Sequence, residues 1–156
     1  MVSGSTDVVV GTPHAGRGQA VLDDLVGMFV NTLALRTAID PGMPFGAFPE
    51  QVRDDDLADM AHADVAFESV VAELGVPRSN AFNPVFQVVF SFQNLEFPAV
   101  ALDRLTITAV PEADTPAKVD LQLTLGPSDP IALGARTADD AIRAELLYSA
   151  DLFDQR

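Results

Sequence analysis

Cysteine is absent from this chain of 156 residues, and cationic residues are few. Without a thiol the chain has no disulfide, no thiolate metal site and no cysteine nucleophile. That composition fits a reducing cytosol, so we expect a cytoplasmic location. Only 9 lysines and arginines stand against 23 acidic residues, which gives a net charge of −14. Because phosphate groups are bound by basic surfaces, we expect neither nucleic acid nor a membrane as a partner.

Histidine is also scarce, which restricts acid–base chemistry. His14 stands in a glycine-rich loop and His62 at a helix junction, and neither has a nucleophile pattern beside it. His62 and Asp64 suit an acid–base pair, although a capping contact at the junction is the interpretation we favour. The run Asp54 to Asp56 does not suggest a metal site, since successive helical residues point about 100° apart. We therefore predict no catalytic residue and no metal ligand.

Long hydrophobic runs and leader features are missing too. Residues 1–6 have neither the basic nor the apolar region of a signal peptide, and every apolar run is far shorter than a membrane span. We expect residues 1–6 to be a polar lead-in and residues 7–156 to be one folded piece whose final helix is cut short. Since 48% of the residues are hydrophobic, a sizeable core is expected.

Two hydrophobic periodicities alternate along the chain and predict an α/β fold. Apolar stripes at helical spacing predict helices, and β-branched or alternating runs predict strands. The strand at 85–92 is expected to be central, and the strand at 119–125 to be antiparallel with one exposed face. The result is a two-layer sandwich with a mixed β-sheet and packed helices. The predicted helices are 21–29, 45–61 and 67–74, and the predicted strands are 7–11, 30–36, 85–92, 105–110, 119–125 and 142–149.

One stretch, Val26 to Arg36 (VGMFVNTLALR), places an Asn–Thr pair inside an apolar run. A buried amide or hydroxyl costs roughly 1–3 kcal/mol unless it is hydrogen-bonded. Asn31 and Thr32 are therefore predicted to fix a backbone crossing or to line a channel, and a hydrogen-bonded core pair is the plainer alternative. The glycines at 11, 16 and 18 match neither the Walker nor the dinucleotide pattern.

Three segments, in this order, resemble the condensation domain of nonribosomal peptide synthetases. Residues 26–36 are similar to the motif (I/V)GxFVNT, residues 62–68 (HADVAFE) to HQDxPFE, and residues 78–85 (RSNAFNPV) to RDxSRNPL. The second departs at Ala63 and Ala66, and the third has Ser79 in place of Asp. Residues 11–17 (GTPHAGR) also resemble the family's GTPxAGR loop. The resemblance covers nearly the whole chain.

The resemblance implies a fold like one half of a chloramphenicol acetyltransferase-like pseudo-dimer, whose two halves enclose a tunnel. All matches belong to the C-terminal half, whereas the family's reaction centre is an HHxxxDG motif in the N-terminal half. With two separated histidines, this chain cannot contain that motif. In the intact enzyme, carrier proteins deliver thioesters on phosphopantetheine arms and an amide bond forms. The implied partners are the N-terminal condensation subdomain, carrier proteins and an adjacent adenylation domain, with no directly bound cofactor.

The resemblance also implies a set of tunnel or subdomain-interface residues with structural roles. It places a crossing floor loop at 11–17 and a latch within 98–118. Two alternatives remain: a stand-alone module that binds a carrier protein or another subdomain, and a complete acyltransferase with a different catalytic group. An isolated half is expected to expose apolar surface and to self-associate. The implied interface residues are Gly11, Thr12, Pro13, Arg17, Asn31, Thr32, Gln93 and Asn94.

Overall fold

The computed structural model describes residues 4–77, 79, 82–93, 116–127 and 142–153. These residues contain five strands and two α-helices: β1 (Asp7–His14), β2 (Asn31–Ala38), α1 (Phe48–Met60), α2 (Phe67–Leu74), β3 (Val88–Phe92), β4 (Leu121–Pro127) and β5 (Ile142–Tyr148). The sheet order is β2-β1-β3-β4-β5. Strand β1 is antiparallel to β2 and parallel to β3, and β4 is antiparallel to β5. The predicted mixed sheet with a central β3 is confirmed.

By its internal contacts the chain divides into two compact units, Met1–Val89 and Phe90–Arg156. In the first unit, β1 and β2 pair along their whole length, from Asp7 opposite Ala38 to His14 opposite Asn31. Helices α1 and α2 both pack on β2. In the second unit, β4 and β5 form a continuous antiparallel ladder from Leu121 opposite Tyr148 to Pro127 opposite Ile142.

Strand β1 is longer than the sequence predicts. Residues 12–14, expected to form a turn after Gly11, continue the strand to His14 and pair with β2. Proline is tolerated in a strand wherever its missing N–H would not face a pairing partner. The predicted loop at 11–17 therefore begins only after His14, and its first four residues are strand.

The predicted helix at 21–29 is wrong. The segment forms one 3₁₀ turn, Ala20–Leu22, and then runs on irregularly to β2. Val21, Leu25 and Val26 are exposed, so the apolar stripe that suggested a helix has no packing surface beneath it in this structure. Short helices depend on such packing, because propensity alone seldom sustains them in water.

The other two predicted helices are confirmed. Helix α1 starts with Pro49 in its first turn, where a missing N–H costs nothing. Helix α2 has the predicted bounds and ends at Gly75, whose φ of 61° is the left-handed cap conformation that favours glycine. After α2, the side-chain oxygen of Asn83 accepts hydrogen bonds from the N–H groups of Val85 and Phe86, so β3 begins at Val88 rather than at 85.

The remaining predicted elements fall partly outside the described residues. The strands predicted at 119–125 and 142–149 are confirmed as β4 and β5. Strand β4 begins and ends two residues later than predicted, and β5 ends one residue earlier. The strand predicted at 105–110 lies outside the described part of the chain. The final helix was expected to start at 151. The described residues up to Phe153 form a turn there, in which the N–H groups of Leu152 and Phe153 both donate to the Ser149 carbonyl.

The expected sizeable core does not form within the described residues. Only three hydrophobic side chains there are buried, namely Leu33, Val71 and Phe86. By contrast, Val26 and Met28 are almost completely exposed. Much of the apolar composition therefore lies on the surface of the described part of the chain, and patches of this kind mark interfaces.

Candidate functional site

The side chain of Asn31, at the first residue of β2, uses its full hydrogen-bonding capacity. Its amide nitrogen donates to the carbonyls of Ala63 (2.9 Å) and Val65 (2.7 Å). Its oxygen accepts from the N–H of Phe67 (3.2 Å) and from the N–H of Thr32 (2.9 Å). Three of these bonds reach residues more than 30 positions away, so Asn31 fastens the start of β2 to the α1–α2 junction. The Asn31 side chain is hydrogen-bonded, as an amide inside an apolar run requires, and its role at a backbone crossing or a channel stays a prediction.

This contact also caps α2. Phe67 is its first residue, and the N–H groups of a helix's first turn have no partner within the helix. Residue 66, the N-cap, is alanine and offers no side-chain cap. Asn31 supplies the missing acceptor from a distant strand. The capping contact expected from His62 and Asp64 is absent among the described residues, where both side chains are exposed.

The ring of Phe86 joins the same region. It is 4% exposed and lies 5.4 Å from the ring of Phe67, centroid to centroid. It also covers Gly11 so closely that a Cβ added there would lie 2.4 Å from a ring carbon. We call Gly11, Asn31, Phe67 and Phe86 the motif cluster. Each member lies in or next to one of the four family-like segments, so segments far apart in the sequence meet here.

Arg17 organises the irregular segment between β1 and β2. Its guanidinium donates to the carbonyls of Leu22 and Leu25 and lies 4.3 Å above the ring of Phe29. The Leu22 carbonyl also accepts the Leu25 N–H, so Arg17 gives it a second partner and holds the segment in place. Gly16 is required at the same place, since its φ is 65° and an added Cβ would lie 1.9 Å from the Phe29 carbonyl oxygen.

The structure brings together most of the predicted interface residues of the first unit. Gly11, Thr12 and Pro13 pair with Ala34, Leu33 and Thr32 across the β1–β2 ladder, one step from Asn31. In the second unit the N–H of Gln93 bonds the Leu125 carbonyl at 2.7 Å. Asn94 lies outside the described residues. The tunnel or interface role of these residues stays a prediction.

Among the described residues, the pKa values of Asp7, Arg36 and Asp56 are shifted. The Arg36 guanidinium hydrogen-bonds Asp7 at 2.7 Å and 2.9 Å and lowers the pKa of that carboxyl, at an exposed position. Partial burial, followed by repulsion from Asp59 and Asp55, raises the pKa of Asp56. Neither carboxylate has a histidine or a nucleophile bonded to it.

The contacts of His14 are local. His14 Nδ1 accepts a hydrogen bond from the Gly16 N–H at 3.2 Å, a local turn contact. Within the described ranges, no three His, Asp or Glu side chains gather closely enough to hold a metal ion. In the same part of the chain no helix is long and apolar enough to cross a membrane.

Sequence reasoning missed two features of the site. The first is Phe86 as the centre of the motif cluster, hidden because an apolar strand residue carries no sign of its partner. The second is an open apolar groove beside α1, with a volume of about 590 Å³. Helical spacing places Phe48, Val52 and Met60 near one face of the helix predicted at 45–61, but it does not show that this face is open.

Comparison with known proteins identifies the family of this chain. The model of the family described as "Condensation domain" matches residues 1–156. Tyrocidine synthase 3 of Brevibacillus parabrevis is 40% identical over 153 residues, which cover 98% of this chain and 2% of that protein. The chain thus spans only a small part of the curated relatives it matches.

Solved structures agree with this. The X-domain from teicoplanin biosynthesis is 27% identical with a TM-score of 0.78, covering 96% of this chain and 33% of that one. The same domain in complex with OxyB is also 27% identical, with a TM-score of 0.74, covering 96% of this chain and 31% of that one. The α/β fold class predicted from the sequence is the one these domains have. The chain belongs to the condensation domain family of nonribosomal peptide synthetases.

Proposed function

We propose that this chain is the C-terminal half of a condensation domain, which forms amide bonds between aminoacyl or peptidyl thioesters held on carrier proteins. Its contribution is a rigid frame and a surface for the N-terminal half, and it supplies no catalytic group of its own. The motif cluster carries this proposal. Four family-like segments meet there through packing and backbone hydrogen bonds, and none of the four side chains of the cluster is an acid, a base or a nucleophile.

The proposed mechanism depends on proximity. The phosphopantetheine arms of two carrier proteins would bring an amine and a thioester together in a tunnel between the halves. Tethering two reactants in a productive geometry is worth about 7–11 kcal/mol. The amine attacks the thioester carbonyl, the thiol of the donor arm leaves, and one amide bond replaces one thioester bond. The proton acceptor belongs to the HHxxxDG motif, which this chain's two separated histidines cannot provide.

The fold suggests how the chain would serve that tunnel. Asn31 and Arg17 use their polar atoms to hold this chain's own backbone, so both are positioning residues in the proposal. Thr32, Pro13 and Thr12 lie beside them on paired strands. The proposed partners are the N-terminal subdomain, carrier proteins and an adenylation domain. A cytoplasmic location is proposed with them and is supported by the cysteine-free composition.

A second candidate function is a non-catalytic interaction module. One observation favours it: the X-domain from teicoplanin biosynthesis, which this chain resembles over 96% of its length, has been solved in complex with another protein, OxyB. A family member can therefore act as a docking platform. The two functions differ in one measurable respect, since only the first requires this chain for amide formation.

The test is an assay with a donor and an acceptor thioester on separate carrier proteins, read by mass spectrometry. The chain alone is expected to give no amide product above the uncatalysed background. Amide formation by the chain alone would contradict the proposal. In that event His14→Ala and His62→Ala, compared with each other, would identify which histidine acts as the base.

A further inference from the structure

Polar side chains of helix α1 face strand β2. On that side the Gln51 amide donates to the Ala38 carbonyl at 2.7 Å, and the Asp59 carboxylate accepts from the Arg36 N–H at 3.2 Å. Both backbone groups belong to β2, the strand at one end of the sheet order. A strand in that position has free backbone groups that must be covered. Helix α1 covers two of them with side-chain hydrogen bonds.

The opposite side of α1 is apolar and open. None of its residues is fully buried, and Leu57 is 60% exposed. Together with Phe45, which is 82% exposed, this side forms the groove of about 590 Å³. An open apolar groove of this size is unfavourable in water and typical of a binding surface. Its apolar lining consists of Phe45, Phe48, Pro49, Val52, Leu57 and Met60.

The charge around the groove favours a basic partner over a second copy of this chain. Helix α1 has five acidic residues and one arginine, Arg53, which also lines the groove and is paired with Asp54. Asp56 lines the groove and is half-buried. No cation of the described residues is within ion-pair distance of Asp56, and its carboxylate is repelled by Asp55 and Asp59. A second copy of this chain would bring another 14 net negative charges. A basic partner relieves this repulsion and a second copy increases it.

We propose that the α1 groove is a docking site for an amphipathic helical segment of another protein or domain, with apolar residues facing the groove and a lysine or arginine facing Asp56. The mode is a helix lying in a hydrophobic groove, with anchors at helical spacing. The cation on the segment replaces the water lost around Asp56. This site is separate from the motif cluster and does not depend on the proposed amide-forming function.

The test uses a synthetic amphipathic peptide of leucine and lysine at helical spacing, labelled for fluorescence anisotropy. The control peptide has glutamate in place of every lysine. The chain is expected to bind the lysine peptide and not the glutamate peptide. Equal binding of both peptides, or binding of neither, overturns the proposal. Amide-formation assays are not involved, so failure here leaves the proposed function untouched, and the reverse also holds.

Two matched variants test whether the peptide binds in the groove. Leu57→Ser is expected to weaken binding roughly fivefold or more, as loss of an interface anchor does. Leu74→Ser, at the end of α2, removes the same side chain at the same exposure, 59% against 60%, and is expected to leave binding unchanged. Equal effects of the two variants would mean unspecific adhesion and would overturn the proposal.

A second matched pair tests the charge. Asp56→Asn is expected to weaken binding of the lysine peptide, whereas Asp54→Asn removes the same charge two positions earlier in the helix, where Arg53 already pairs with it, and is expected to have little effect. Equal weakening by both overturns the specific role of Asp56. The other candidate occupant of the groove is a second copy of this chain, and light scattering without peptide tests for it. Self-association that Leu57→Ser abolishes would assign the groove to a second copy and overturn the proposal.

Discussion

At the scale of single residues, the side chains at family-like motif positions hold separate backbone segments together. Asn31 links a strand to a helix junction through four hydrogen bonds. Gly11 leaves room for the Phe86 ring. Arg17 holds the segment before β2 by hydrogen bonds and by the Phe29 ring. Such roles are not visible in composition, because each depends on a partner distant in the sequence. What the sequence did predict was that an Asn inside an apolar run must be hydrogen-bonded.

Replacing Asn31 with Ala is expected to destabilise the chain by about 2–3 kcal/mol, since each net hydrogen bond is worth about 0.5–1.5 kcal/mol and several would be left unpaired. Asn31→Asp should also destabilise, because a carboxylate would face the Ala63 and Val65 carbonyls instead of donating to them. Urea unfolding measures both. Thr32→Ala is the control and should cost less, and an Asn31→Ala variant as stable as the original chain would refute the fastening role.

Gly11→Ala tests the close approach within the motif cluster. The added methyl would lie 2.4 Å from the Phe86 ring, so overpacking of about 1–3 kcal/mol is expected. Gly18→Ala, where no heavy atom lies within 4 Å of the added carbon, is the matched control and should be close to neutral. Thermal unfolding of the two variants side by side measures the difference. Equal melting temperatures would mean that the contact does not constrain position 11.

At the scale of elements, helix α2, β2 and the antiparallel pair β4–β5 were predictable because their periodicity agrees with their final packing, whereas helix α1 forms although its apolar stripe stays open. The helix predicted at 21–29 does not form. Its apolar stripe has no surface to cover, and Arg17 takes the carbonyls of Leu22 and Leu25. The orientation of α1 was equally hidden, since the sequence gives a stripe of apolar residues but not the direction in which it faces.

The free energy of unfolding is expected to depend on pH through Asp56 of helix α1. Burial, then Asp59 and Asp55, raise its folded-state pKa above 3.8. The folded state therefore holds this proton more tightly than the unfolded state does, and stability falls as pH rises from 3.8 through the folded-state value. Asp56→Asn removes that loss. The variant should gain stability relative to the original chain at neutral pH but not below pH 3.8, as measured by urea unfolding. A difference that is independent of pH would contradict this assignment.

At the scale of the whole molecule, exposed apolar side chains and a large negative charge oppose each other. Val26 is 104% exposed and Met28 is 88% exposed, while the net charge of −14 keeps copies apart. Self-association is therefore expected to increase with salt, which screens the repulsion. Light scattering at low and high salt measures it, and Val26→Asp should reduce it. A strict monomer at high salt and high concentration would contradict the expectation.

Membership in the condensation domain family, together with two separated histidines that cannot form HHxxxDG, supports the proposal that the chain is one half of an amide-forming enzyme. The most direct measurement mixes the chain with a separately produced N-terminal half that contains HHxxxDG, and supplies donor and acceptor thioesters on carrier proteins. We predict no amide from either half alone and amide from the mixture. Equal product from the N-terminal half with and without this chain would contradict the account.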